Sequence, residues 1–268
     1  MTINTKMVAV GDSFVNLVDA GSGKPILFVH GFPLDHSMWR FQIEAFAKRN
    51  RVICPDLPGY GSSPAGNRPT SMRAFADVLV ALLDALNVTE PIVYCGLSMG
   101  GYIGWQIWMH HSDRLSHLVA CDTRAGSDSI EIARGRRIAA QSVQQTGSQA
   151  VADAMISKLF YRPDDPERKS MIMPVHEVMS KTDPESISTG QLAMAERPDA
   201  TSWLGEITLP MLFVVGEHDK ITPYQEMLQN SNQAPDSRIL QISEAGHMSP
   251  LENHASFNEG LREFLDSN

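Results

Sequence analysis

Residues 94–102 read Y-C-G-L-S-M-G-G-Y, so that one serine, Ser98, lies among three glycines. An apolar run, residues 91–94, precedes the serine, and residues 102–109 continue with helix-like spacing. Residues 96–100 therefore fit the pattern G-x-S-x-G between a predicted strand and a predicted helix. In that context the pattern indicates a sharp, strained turn that exposes the serine hydroxyl, with glycine wherever a side chain would collide with neighbouring backbone. The stretch predicts Ser98 as a nucleophile.

The composition is that of an ordinary globular protein. The chain has 268 residues, of which 43% are hydrophobic and 20% charged, enough to bury a sizeable core. Its net charge of −9 opposes binding to nucleic acid or to an anionic membrane surface, so neither is expected as a partner.

Three sequence features predict a cytoplasmic location. No apolar run approaches the roughly 20 residues that cross a bilayer. Residues 1–6 lack the basic start and hydrophobic stretch of a signal peptide. The three cysteines, Cys54, Cys95 and Cys121, match neither a disulfide framework nor a zinc pattern, and we expect reduced core thiols.

Short apolar runs alternate with segments of helical length, such as residues 71–86. This alternation predicts a mostly parallel central sheet with helices on both faces, the α/β class. Residues 7–10 and 14–19 flank Gly11-Asp12 and predict a hairpin. The other predicted strands are residues 25–29, 51–54, 92–95, 115–121, 211–215 and 239–242.

The interval 124–201 carries no strand pattern and contains four helix-like segments. It is too long for a connecting loop. We therefore predict a helical cap, residues 124–201, inserted between two strands of a core formed by residues 1–123 and 202–268. Such a cap would stand over the carboxyl ends of the strands, where open α/β sheets bind their ligands.

Further motifs follow in a fixed order along the chain. They are His30-Gly31-Phe32-Pro33, the D-x-x-G-x-G-x-S run of residues 56–63, the G-x-x-D run of residues 216–219, and Gly246-His247. With the G-x-S-x-G turn between them, the chain resembles the α/β-hydrolase superfamily over nearly its full length. The resemblance implies the α/β-hydrolase fold with a cap, and a hydrolytic site with a serine nucleophile.

A serine hydroxyl needs a neighbouring base, and the base needs an acid that orients it. His247, on the loop after the last predicted strand, is the candidate base. Asp219 is the favoured acid, because the superfamily usually carries it after the penultimate strand. Asp122, after the preceding strand, is the alternative acid. His30 is expected to hydrogen-bond its own loop.

The transition state needs two backbone N–H donors, an oxyanion hole. Met99, directly after Ser98, and Phe32 are the predicted donors. Trp39 and Tyr102 either line the substrate pocket or belong to the core. Arg124 either binds a substrate carboxylate or anchors the cap through a salt bridge.

Serine at the turn disfavours the dehalogenases and epoxide hydrolases of the superfamily, which use aspartate there. The sequence contains no metal-binding cluster or nucleotide-binding loop, so no metal or cofactor is expected. The reaction that remains is hydrolysis of a small-molecule ester, thioester or lactone through an acyl-enzyme intermediate.

Carboxylesterase is the first predicted activity. Residues 96–101, Asp122-Thr123 and Arg197-Pro198-Asp199 also resemble the 3-oxoadipate enol-lactonase branch, although residues 124–126 depart from it, and enol-lactonase is the second. Cofactor-free haloperoxidase or perhydrolase activity, suggested by Phe32-Pro33, is the third. A ligand receptor with the hydrolase fold is the alternative from another class. The sequence indicates no oligomeric state.

Overall fold

One mixed sheet organises the chain. The computed structural model describes residues 4–66 and 68–267, and in them the strand order is β1-β2-β4-β3-β5-β6-β7-β8. The strand β2 pairs antiparallel with β1 and β4, and all other neighbours are parallel. The strands are β1 (Lys6–Val10), β2 (Ser13–Ala20), β3 (Pro25–Val29), β4 (Arg51–Pro55), β5 (Ile92–Leu97), β6 (Leu115–Cys121), β7 (Met211–Gly216) and β8 (Ser237–Ile242). The predicted hairpin and the mostly parallel sheet are confirmed.

Helices cover both faces of this sheet. They are α1 (Arg40–Phe46), α2 (Met72–Ala85), α3 (Met99–His111), α4 (Ile130–Leu159), α5 (Lys169–Lys181), α6 (Pro184–Ala195), α7 (Tyr224–Ser231), α8 (Ser249–Glu252) and α9 (His254–Asp266). Short 3₁₀ segments lie at His36–Trp39, Ser112–Arg114, Pro166–Arg168 and Thr201–Glu206.

The alternation of side chains along a strand divides the core into two clusters. In β3, Leu27 and Val29 join the cluster that contains the buried residues of α2 and α3. Ile26 and Phe28 join the cluster that contains those of α1 and α9. Because both faces of β3 are buried, its run of apolar residues has no polar alternation, which is why it reads as a strand covered on both sides.

Helices α4 to α6 lie between β6 and β7 in the chain, within the predicted cap of residues 124–201. Gly147 has a φ of 75° inside α4, so the helix is interrupted there. Residues of the predicted cap contact loops that follow the strands: the Thr182 hydroxyl donates to the Pro33 carbonyl at 3.3 Å, and the Tyr60 hydroxyl donates to the Ser186 carbonyl at 3.1 Å. The division into core and cap remains a prediction, and residues 1–3, 67 and 268 lie outside the described part.

Within the described residues, no helix is both long enough and apolar enough to cross a membrane. All three cysteines are free thiols and buried, as predicted. The sulfur atoms of Cys95 and Cys121 lie 3.7 Å apart on the neighbouring strands β5 and β6.

The turn between β5 and α3 brings two stretches of backbone unusually close together. A methyl group on Gly96 would lie 2.4 Å from both the carbonyl carbon and the oxygen of Gly100. Since these are backbone atoms, they cannot move aside as a flexible side chain would. Glycine at position 96 is therefore what allows α3 to begin directly after β5.

We predict that Gly96→Ala lowers the free energy of unfolding by about 1–3 kcal/mol, because the added methyl overpacks this junction. Urea unfolding measures the change. Gly135→Ala is the matched control. Gly135 is an exposed residue of α4, and nothing lies within 4 Å of the added methyl group. The control should gain roughly 0.5–1 kcal/mol, since glycine is unfavourable within a helix. Wild-type stability in Gly96→Ala would contradict the close approach.

Candidate active site

Ser98 lies at the turn between β5 and α3 with a φ of 51° and a ψ of −111°. Its N–H donates to the carbonyl of Cys121 at 2.9 Å, and its own carbonyl accepts from Gly101 N, also at 2.9 Å. The Thr123 hydroxyl donates to the same carbonyl at 2.8 Å. These bonds hold the main chain in a conformation that non-glycine residues rarely adopt. Ser98 itself stays partly exposed.

His247 and Asp219 are brought into direct contact. His247 Nδ1 lies 2.8 Å from Asp219 Oδ2, and both side chains are almost completely buried. The two residues lie on the loops that follow β8 and β7, which are neighbouring parallel strands. Parallel strands end at the same edge of a sheet, so these loops meet there.

The loop of Asp219 supplies further donors to its carboxylate. Ile221 N donates to Oδ1 at 2.7 Å and Thr222 N at 3.1 Å, and the Thr222 hydroxyl donates to Oδ2. Although burial alone would raise it, His247 and the donors of Thr222 hold the pKa of Asp219 below its usual value. Thr222 was not among the residues predicted from the sequence. The available signal was its spacing of three residues after an aspartate, typical of a side-chain-capped turn.

Asp122, the alternative acid, has different partners. Its Oδ1 accepts from Gly216 N at 2.8 Å, and its Oδ2 lies within hydrogen-bonding distance of the Ser249 hydroxyl. Complete burial, and then the negative charge of Asp219, raise the pKa of Asp122 well above its usual value. The surroundings therefore favour the neutral form of Asp122 and the ionised form of Asp219.

One predicted oxyanion donor adjoins Ser98 in the chain, and the other follows a residue that lies close to Ser98. Met99 is the first residue of α3, and the first N–H groups of a helix have no partner within it. Phe32 follows Gly31, and a methyl group added at Gly31 would lie 3.3 Å from Ser98 Cβ. His30 holds this loop, as predicted: its Nδ1 lies 2.8 Å from the Gly31 carbonyl, and its Nε2 accepts from a backbone N–H at 2.9 Å.

In the described part of the chain, no hydrogen bond joins Ser98 to His247. Among the described residues, the Ser98 hydroxyl makes no hydrogen bond to the imidazole or to any other group. Nucleophile–base contacts are often long in the absence of substrate and shorten when it binds. The placement of both residues on loops at one edge of the sheet is the observation that relates them.

Two of the three predicted pocket residues are buried aromatic side chains. Trp39 has no exposed surface, and its ring centroid lies 5.0 Å from that of Phe28 and 6.1 Å from that of Phe257. These contacts place Trp39 in the core beside α9, so they give no support to a pocket role. Tyr102 is also buried, with the guanidinium carbon of Arg197 4.2 Å from its ring centroid.

Arg124, the third predicted pocket residue, is engaged within the protein. Its Nε lies 3.2 Å from a Glu226 carboxylate oxygen, and its Nη2 donates to the carbonyl of Ile221. Ile221 belongs to the loop whose N–H groups bind Asp219. A salt bridge is therefore present, and the bond from Nη2 to Ile221 ties Arg124 to the loop of the predicted acid.

The D-x-x-G-x-G-x-S run forms a closed polar cluster around Asp56. Its ligand atoms and those of Asp35 and His36 lie within 4.8 Å of one another, a spacing that could hold a metal ion. Both Asp56 oxygens already accept hydrogen bonds, from His36 N (2.8 Å), His36 Nδ1 (2.7 Å), Asn16 Nδ2 (2.8 Å) and Ser62 N (2.8 Å). A metal ion would have to displace these donors, so the cluster fits a structural turn better.

A family model described as alpha/beta hydrolase fold matches residues 24–159, and one described as TAP-like protein matches residues 188–268. The chain belongs to the α/β-hydrolase family. This confirms the resemblance and the fold expected from the sequence.

Individual relatives hydrolyse esters of different kinds. The chain is 36% identical to a thermophilic esterase from Thermogutta terrifontis, solved with malate bound, with a TM-score of 0.93 and 98% of each chain covered. It is 26% identical to 3-oxoadipate enol-lactonase 2 of Acinetobacter baylyi, over 88% of this chain and 86% of the relative. It is 27% identical to a pimeloyl-(acyl-carrier protein) methyl ester esterase of Vibrio cholerae, over 91% of this chain and 95% of the relative. Together they support an enzyme that hydrolyses esters, without specifying its substrate.

The titration of Asp122 leads to a stability prediction. Because its pKa is raised in the folded state above the unfolded value of 3.8, its stabilising contribution is complete below about pH 4 and is lost as the pH rises towards the folded pKa. Asparagine does not titrate. The unfolding free energy of Asp122→Asn, relative to wild type, should therefore rise between about pH 4.5 and pH 8. Urea unfolding at both pH values measures this, and a relative stability that falls with pH would contradict a neutral Asp122.

Proposed function

We propose that this protein is a serine hydrolase that cleaves a small carboxylic ester, a carboxylesterase, with Ser98 as nucleophile, His247 as base and Asp219 as acid. The observation that carries the proposal is the buried 2.8 Å contact between His247 Nδ1 and Asp219 Oδ2. An ionised Asp219 holds the proton of the imidazole on Nδ1. Nε2 is then left as the acceptor that a serine nucleophile requires.

Acylation uses these groups in turn. The Ser98 oxygen attacks the ester carbonyl carbon while its proton passes to His247 Nε2. The negative charge that forms on the carbonyl oxygen is stabilised by the N–H groups of Met99 and Phe32. His247 then gives its proton to the alcohol oxygen, the bond between that oxygen and the acyl carbon breaks, and the acyl group stays on Ser98.

Deacylation repeats the sequence with water. His247 takes a proton from water, the hydroxide oxygen attacks the acyl carbon, and the proton returns to Ser98 as the acid product leaves. Every proton moves between water, substrate and side chains of the protein, so this mechanism requires no cofactor.

Enol-lactonase activity is a second candidate, supported by the similarity to the enzyme of Acinetobacter baylyi. A lactone of 3-oxoadipate retains one free carboxylate, which needs a cation in the pocket. Arg124 is paired with Glu226, and Arg197 is paired with Asp128 at 2.8 Å. Since both cations are neutralised, we favour an uncharged ester. A higher kcat/KM for the enol-lactone than for p-nitrophenyl butyrate would reverse this preference.

The first prediction from the mechanism concerns Ser98. Ser98→Ala should reduce hydrolysis of p-nitrophenyl butyrate by about 10⁴-fold or more, because the acyl acceptor is gone. Circular dichroism checks that the fold is retained. A serine-directed phosphonate should add to Ser98 alone, as seen by peptide mass spectrometry. Activity within tenfold of wild type would eliminate Ser98, and a single slow burst in the wild type would favour a receptor.

A second prediction ranks the two buried carboxylates. Asp219→Asn should lower kcat by about 10⁴-fold, because the imidazole loses its orienting partner. Asp122→Asn should change kcat far less, since burial favours the neutral form of Asp122 and, among the described residues, its hydrogen bonds go to Gly216 and Ser249 rather than to His247. Steady-state kinetics of both variants decides the assignment, and the opposite ranking would make Asp122 the acid.

A further inference from the structure

The end of α4 and the residues after it run directly against the loop of His247. The His247 N–H donates to the carbonyl of Leu159 at 2.8 Å. A methyl group on Gly246 would lie 2.8 Å from the nitrogen of Tyr161 and 3.0 Å from the oxygen of Leu159. The absence of a side chain at Gly246 is therefore what allows the cap to reach the main chain of the proposed base.

Glu252, the last residue of α8, joins these two stretches. Its carboxylate oxygens accept hydrogen bonds from Gly246 N (2.7 Å), Met248 N (3.3 Å), Tyr161 N (2.8 Å) and Arg168 Nη1 (2.9 Å). The side chain has no exposed surface. Two of the donors are the main-chain N–H groups immediately before and after His247, so one carboxylate fixes the backbone on both sides of the imidazole.

This arrangement needs a carboxylate in particular. Each oxygen of Glu252 accepts from two donors, whereas a glutamine would offer one acceptor oxygen and turn an NH₂ group towards N–H groups. Burial raises the pKa of Glu252 to about 7, although the N–H groups of Tyr161 and Gly246 and the charge of Arg168 favour the ionised form. Buried ion pairs often contribute little net stability, so stability alone gives no reason for a charge here.

We propose that Glu252 is a positioning residue for His247: its carboxylate, bonded to the Gly246 and Met248 N–H groups and to the cap, holds the imidazole where it can accept the Ser98 proton. The inference rests on the proposed function, because it assumes that His247 is the base. It assigns a role to a residue that does not touch the substrate or the reacting atoms.

The test compares Glu252→Gln and Glu252→Asp with wild type at about pH 8.5, above the Glu252 pKa, where the wild-type carboxylate is ionised. Glutamine removes one acceptor oxygen at similar volume. Aspartate keeps the charge but withdraws both oxygens from the main chain. In each variant kcat for p-nitrophenyl butyrate should fall roughly 10- to 100-fold, because small misplacements of a catalytic group are costly. KM should stay within about twofold, since substrate contacts are unchanged.

A matched control separates positioning from general damage. Asp19, on β2, is a nearly buried carboxylate paired with Arg51 at 2.9 Å and Lys6 at 2.7 Å. Asp19→Asn also converts a carboxylate to an amide, but near the β1 edge of the sheet, far in strand order from β7 and β8. It should leave kcat unchanged. Proton NMR gives a second readout. The downfield resonance of the His247 Nδ1 proton, assigned by its loss in Asp219→Asn, should persist in Asp19→Asn and broaden or disappear in Glu252→Gln.

The outcomes are distinct. Wild-type kcat in both Glu252 variants would overturn the inference, and so would a rise in KM with kcat intact, which would assign Glu252 to the substrate-binding cap. If Glu252→Gln does not fold, Glu252→Asp decides alone. An active Ser98→Ala would instead defeat the proposed function itself. An inactive Ser98→Ala together with fully active Glu252 variants would defeat only the role of Glu252.

Discussion

The backbone contact between Gly96 and Gly100 fixes where the rest of the site can lie. It forces the chain to reverse from β5 into α3 within a few residues, and Ser98 takes a φ of 51° as a result. A residue in such a conformation costs about 1–3 kcal/mol and persists only where its surroundings impose it. Here they do: Ser98 N is bonded to β6, and the Tyr94 hydroxyl donates to the Gly100 carbonyl at 2.6 Å. The strained turn is held by the sheet on one side and by the helix on the other.

A second constraint follows from the order of the strands. Asp122 and Asp219 come after the adjacent strands β6 and β7, which brings two carboxylates to one buried edge. Two negative charges there would repel each other strongly, so one group is favoured to carry a proton. The donors are distributed unequally, with His247 and Thr222 beside Asp219. This distribution favours an anion at Asp219, next to the imidazole, and the neutral form of Asp122.

The parts of the structure with a local physical cause could be predicted from the sequence. The boundaries of β3 and β6 agree with the prediction, because strands buried on both faces are continuous apolar runs. The contact of Asp219 with His247 was expected from motifs. Trp39 could not be decided, since a buried aromatic residue has the same sequence pattern in a core and in a pocket. The role of Glu252 was not predicted, because two of its four partners, Arg168 and Tyr161, lie 84 and 91 residues earlier in the chain.

Two contacts between the predicted cap and the region of His247 use main-chain atoms of the cap. The carbonyl of Leu159 accepts from His247 N, and the N–H of Tyr161 donates to Glu252. The carbonyl exists for every residue type, and the N–H for every type except proline. Evolution can therefore exchange the side chains at both positions while these bonds remain.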